Sequence, residues 1–278
     1  MRLCLLRLKG ALLRCNVRKE LMKLAREAAY HRDFRVFFRA TGLAGDLSDE
    51  SASTLSWMAI LYCEGGQQSE AERLFAAAFE KVPDDPTLLA YYGGYLQMGQ
   101  LFRESIGYLQ RALTAMPHEA WIWYRLGESY RCLGEWEKAR ECYLSSMERD
   151  VDGSETGANN NGLAYCASQM GDWKQAAVYW QEAAARLPHE GEIWYDLGDA
   201  LVHAGDYRRA IMALRKSLRL GCRRPAWALY DLASAYYHLG ENRQAKRYCE
   251  QTLRRDPNDA DALELKRELE TQTPAKGT

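Results

Sequence analysis

The stretch Trp123–Tyr143 constrains this chain more than any other. It reads Trp123-x-x-Leu126-Gly127-x-x-Tyr130, then Gly134 and Trp136, then Ala139-x-x-x-Tyr143. Steps of three and four return to one side of a helix, so Trp123, Leu126, Gly127 and Tyr130 form one apolar stripe. Trp136, Ala139, Tyr143 and Ser146 form a second stripe after a break at Gly134, a residue suited to ending a helix at positive φ. Gly127 and Ala139 are small enough to let two backbones approach. Two amphipathic helices joined this tightly pack on each other, but the pair leaves an apolar side open and needs neighbours.

The neighbours are in the sequence. Trp194-x-x-Leu197-Gly198 is followed by Gly205, Tyr207 and Ala210, at an offset of 71 residues, or two units of 34 plus a three-residue insertion. Pro83 and Pro117 lie 34 residues apart, Pro188 and Pro257 continue the series, and the loops Pro117-His118-Glu119 and Pro188-His189-Glu190 match. A 34-residue period with Trp-x2-Leu-Gly-x2-Tyr, Ala-x3-aromatic and a closing proline resembles the tetratricopeptide repeat family. The resemblance covers nearly the whole chain. It implies an all-α fold, a right-handed superhelical solenoid of helix-turn-helix repeats, with a non-enzymatic role in binding proteins.

Register places six units at 52–85, 86–119, 120–153, 157–190, 191–225 and 226–259. Unit two has Leu96 where an aromatic is expected, and unit three ends in Val151 rather than proline. Residues 18–51 read as a degenerate repeat or N-terminal cap. Leu21, Leu24, Ala25 and Ala28 take its first stripe, Phe34 and Phe37 its second, and Gly42 and Gly45 are expected to end the helix early. Residues 260–272 read as a capping helix with Leu263 and Leu269 inward, and 273–278 as a disordered tail. The polar loop at 152–157 is either a hinge or a neutral connection, and Asn159-Asn160-Asn161 is expected to open and cap a helix.

Residues 1–17 carry a basic amphipathic pattern, with Arg7 and Lys9 interrupting any secretory apolar run. A membrane-surface helix, an organelle presequence and a plain packing helix all remain open, with the lack of serine against the presequence. No apolar run is long enough to cross a bilayer. A net charge of −1 gives no global attraction for nucleic acid, and the aromatics fall mostly on repeat core positions. Eight cysteines without C-x-x-C spacing favour a reducing compartment, and a cytoplasmic location is expected.

In this family the first helix of each unit lines a concave groove where extended peptides often bind. The register then implies partner-binding residues Tyr124, Arg125 and Glu128 in unit three, and Asn161 and Tyr165 in unit four. Units five and six contribute Glu192, Tyr195, Asp196, Asp199 and His203, then Tyr230, Asp231 and Tyr237. The carboxylate clamp of chaperone-binding members is not matched: its positions hold Ser56, Ile60, Tyr91, Trp121 and Arg125, of which only Arg125 fits. Acids beside tyrosines in units five and six suit a ligand with Lys or Arg and an apolar side chain.

His203 and His238 hold equivalent places in adjacent units, too far apart to share a metal ion. No nucleophile with a positioned base, phosphate-cradling glycine loop or metal cluster is evident, and no cofactor is implied. The sequence therefore predicts an interaction scaffold or adaptor that holds a partner peptide in the groove. Alternatives are a substrate-recruiting or regulatory subunit of a separate enzyme, and a membrane-surface assembly factor that uses residues 1–17.

Overall fold

The computed structural model describes residues 19–44, 47 and 50–271, so the basic segment 1–17, the tail and Gly45 lie outside the described residues. All regular elements among them are helices. The chain divides into two compact units, Met1–Pro117 and His118–Thr278.

In the first unit α1 is helical over 19–30, followed by α2 (Phe34–Ala44), α3 (Ala52–Glu64), α4 (Gln68–Lys81), α5 (Pro86–Met98) and α6 (Phe102–Ala115). Helices α3 and α5 begin with a side-chain cap. The Ser51 hydroxyl accepts from the Thr54 N–H at 3.2 Å, and Asp85 accepts from Leu88 at 2.8 Å ahead of Pro86, whose fixed φ suits a first helical turn. Helix α3 packs on α4 and on α5. In α1 Met22, Ala25 and Ala28 face inward, whereas Leu24, expected on that stripe, is exposed. Helix α2 runs through Gly42. Buried Thr41 ties that turn down, bonding the Phe37 carbonyl at 3.0 Å and the Tyr62 hydroxyl at 2.6 Å.

In the second unit α7 (Ala120–Cys132) pairs with α8 (Trp136–Arg149), α9 (Thr156–Gln169) with α10 (Trp173–Arg186), α11 (Gly191–His203) with α12 (Tyr207–Leu220) and α13 (Pro225–His238) with α14 (Asn242–Arg255). Helix α15 (Ala260–Thr271) packs against α14. It turns Ala262, Leu265 and Leu269 inward: Leu269 is buried as expected, whereas Leu263, also expected inward, lies at the surface. The loop at 150–155 is tied by the Asp150 carboxylate, which accepts from the Glu155 N–H at 3.1 Å and the Thr156 hydroxyl at 2.8 Å. Asn159 and Asn160 do not cap α9; they are buried in its second turn, where Asn159 donates to the Ser146 hydroxyl at 2.9 Å.

One packing rule recurs through both units. Where the small-residue position of the first helix is glycine, it faces the side chain sixteen positions later. A Cβ at Gly93 would fall 2.8 Å from Leu109, one at Gly127 2.9 Å from the Tyr143 ring and one at Gly198 2.5 Å from Leu214. Gly162 of α9 meets the other side of the same Tyr143 ring, where a Cβ would fall 2.5 Å away. Tyr143 is therefore fully buried between two glycines. Large side chains fill the interior only because small ones face them.

Candidate functional site

The first helices of the second unit carry the residues expected to meet a ligand, and the structure sorts them into two groups. In α7, Glu128 is already engaged: it accepts from the Tyr143 hydroxyl and pairs with Arg131 at 2.8 Å. Burial, then the Glu128 charge, holds the Tyr143 hydroxyl well above the usual phenol range. Tyr124 lies half-buried with its ring 5.9 Å from Tyr143, and burial pushes its hydroxyl up to about 12. Arg125 is half-buried. In α9, exposed Asn161 accepts from the Trp180 indole N–H at 2.9 Å, and exposed Tyr165 lies under the Arg131 guanidinium, 5.3 Å from its ring centre. This first group mainly ties helices together.

The second group, on α11 and α13, is a site built around a guanidinium. Arg224, on the approach to α13, donates from Nη2 to Glu192 at 2.9 Å and to Asp196 at 2.7 Å. Its Nε donates to the same Glu192 oxygen at 3.1 Å, and its guanidinium lies 4.2 Å from the Tyr195 ring centre and 5.8 Å from that of Trp227. The Arg223 backbone N–H also donates to Glu192. A planar cation gripped by carboxylates at its edge and aromatic rings at its face is the arrangement that selects arginine over lysine.

Burial distinguishes the acids. Asp196 and Asp199 are partly buried; burial pushes the Asp196 carboxyl up to about 6 against the pull of Arg224, and raises Asp199 against the pull of His203. Asp231 and Tyr195, expected on the open face, are 8% and 5% exposed. The Tyr195 hydroxyl bonds the Asp231 carboxylate, whose Oδ2 has no hydrogen-bond partner. Burial first, and the Asp199 charge second, push Asp231 up to about 8. Near neutral pH that carboxyl is largely protonated. Tyr230 and Tyr237 are half-buried beside it along α13, and burial pushes the Tyr230 hydroxyl up to about 12.

The paired histidines are packing elements. His203 stacks on Trp173 at 4.1 Å and His238 on Tyr207 at 4.7 Å. Each covers the residue that opens the preceding second helix. His203 Nδ1 also lies 3.2 Å from the Asp199 carboxylate.

Sequence reasoning missed Arg224. Its signal is the one-residue excess of the fifth unit together with Pro225: the extra residue sets a basic side chain at the N-terminal end of α13, level with Glu192 in the first turn of α11.

Comparison with known proteins agrees with the architecture. Models described as tetratricopeptide repeat match residues 118–188 and 162–221, and one described as the Fis1 C-terminal tetratricopeptide repeat matches 228–274. No curated protein matches the sequence. Among solved structures, YrrB, described as a TPR protein with an unusual peptide-binding site, superposes with TM-score 0.63 at 18% identity, over 69% of this chain and 97% of its own. Pseudomonas aeruginosa pilF superposes with TM-score 0.68 at 17% identity, over 80% of this chain and 100% of its own. PilW, described as a widely conserved type IV pilus biogenesis factor, gives TM-score 0.63 at 16% identity, over 77% and 97%. Identities this low speak for the fold.

Proposed function

We propose that this chain, a tetratricopeptide repeat protein, is a protein–protein interaction scaffold that works as an adaptor holding a partner segment on the α11–α13 face. The observation that carries this reading is the guanidinium site. Glu192, Asp196 and Tyr195 already bind an arginine, Arg224, and Asp199, Tyr230 and Tyr237 extend the same acidic and aromatic surface beyond it. A partner bringing Arg or Lys next to an apolar or aromatic side chain meets oriented carboxylates and rigid contact area. An acidic C-terminus finds a poorer match, since the clamp positions hold Ser56, Ile60, Tyr91, Trp121 and Arg125, of which only Arg125 fits. The buried free thiols Cys142, Cys166, Cys222 and Cys249 fit a reducing compartment such as the cytoplasm. No helix among the described residues is long and apolar enough to cross a membrane.

The test is paired capture from a native lysate with wild type and Asp196→Asn/Asp199→Asn. These substitutions keep shape and remove charge, and circular dichroism checks equal helicity. A partner held by wild type and lost from the variant supports the reading, provided that the bound segment carries Arg or Lys. Identical captures overturn it.

A further inference from the structure

The second helices of units five and six differ from all the others in charge. Helix α12 carries five basic residues and no acid, and α14 carries five basic residues and one acid, Glu250, in a chain of net charge −1. Arg215 of α12 reaches the Tyr248 hydroxyl of α14. Between α10, α11 and α12 opens a cleft of about 760 Å³. Its lining is apolar, with Leu197, Leu201 and Trp194 from α11 and Met212 from α12, and Met212 is 72% exposed. Its rim is basic: Arg209, Lys216 and Arg219. Lys216 lies 3.7 Å from the Trp194 ring centre, so cation and indole present a combined surface.

An apolar trough edged by cations on a long helix has a specific complement. We propose that this cleft is a second docking site, whose occupant is an acidic amphipathic helical segment of a protein partner. Its apolar side chains would lie along exposed Met212 and half-buried Trp194 and Leu218, and its carboxylates would reach Lys216 and Arg219. A nucleic-acid backbone would leave the apolar floor uncovered, and a lipid surface would not enter a concave trough. The site is distinct from the guanidinium site: one recruits cations, the other anions. A single repeat pair therefore presents opposite charge on its two helix layers.

The test pans a display library of randomised helical peptides on the full chain, with Met212→Asp and Lys216→Glu/Arg219→Glu as counter-targets. Met212 and Arg219 are exposed and Lys216 is half-buried against Trp194, and circular dichroism verifies folding. The expected binders set Leu, Ile or Phe at helical spacing against Glu or Asp, and lose about tenfold or more in affinity on the charge-reversed variant. Their affinity is unchanged on Asp196→Asn/Asp199→Asn, which separates this site from the proposed adaptor face. Basic binders, no enrichment, or equal affinity for the charge-reversed variant would overturn the proposal. So would phosphatidylserine vesicles or duplex DNA binding the wild type more tightly than the selected peptides and losing that binding on the charge-reversed variant.

Discussion

Gln100 occupies a turn position that is glycine at Gly66, Gly134, Gly171, Gly205 and Gly240, all with φ between 75° and 81°. Gln100 is held at φ 60°, in the left-handed region that a side chain disfavours. Replacing it with glycine relieves that strain at some cost in unfolded-chain entropy, and Gln100→Gly is expected to stabilise the protein by about 0.5–1 kcal/mol in denaturant titration. At Asp231 the effect depends on pH. Its folded-state carboxyl, raised to about 8 from an ordinary 3.8, binds a proton that the unfolded chain releases at lower pH. The stability this lends is full below about pH 4 and is lost as pH rises towards 8. Asp231→Asn removes that slope. Relative to wild type, the variant should gain on the order of a few kcal/mol between acid and mildly basic pH, and an unchanged slope in thermal melts would refute the assignment.

At the scale of the element, α15 shows what periodicity can and cannot fix. The helix in 260–272 was legible from its apolar spacing, and so was inward Leu269. The rest of the face was not. Leu263, Leu265 and Leu269 are all apolar, and the choice between them depends on how α14 presents Ala245 and Cys249, whose thiol meets the Ala262 carbonyl at 3.0 Å. Leu265→Asp should cost about 2–4 kcal/mol by burying a charge, whereas Leu263→Asp should stay within about 0.5 kcal/mol. The reverse order would return the helix to the face that periodicity suggested. The asparagine run in α9 failed for a related reason. Asparagine favours caps in isolation, but here Ser146 and Trp180 supply partners that hold it inside a helix.

At the scale of the whole molecule, the repeat class was readable because thirty-four-residue spacing, small-residue positions and turn glycines are local properties that a sequence displays directly. That the acids and tyrosines of units five and six fall on first helices was readable for the same reason. Their partner was not: Arg224 lies in an irregular connection outside the repeat register, and its contacts to Glu192 and Asp196 span 32 and 28 residues. Which tyrosines stay open and which are buried likewise depends on stacking between units. The most direct measurement is a titration of the full chain with the Arg- or Lys-bearing segment of the captured partner, by wild type and by Asp196→Asn/Asp199→Asn, at about pH 6 and about pH 8. A cationic ligand favours ionised carboxylates, so wild-type affinity should strengthen as pH rises through the range where Asp196 and Asp231 titrate, and the variant should bind at least about tenfold more weakly. Equal affinity of the two proteins, or wild-type binding that weakens as pH rises, would contradict an adaptor built on this acidic face.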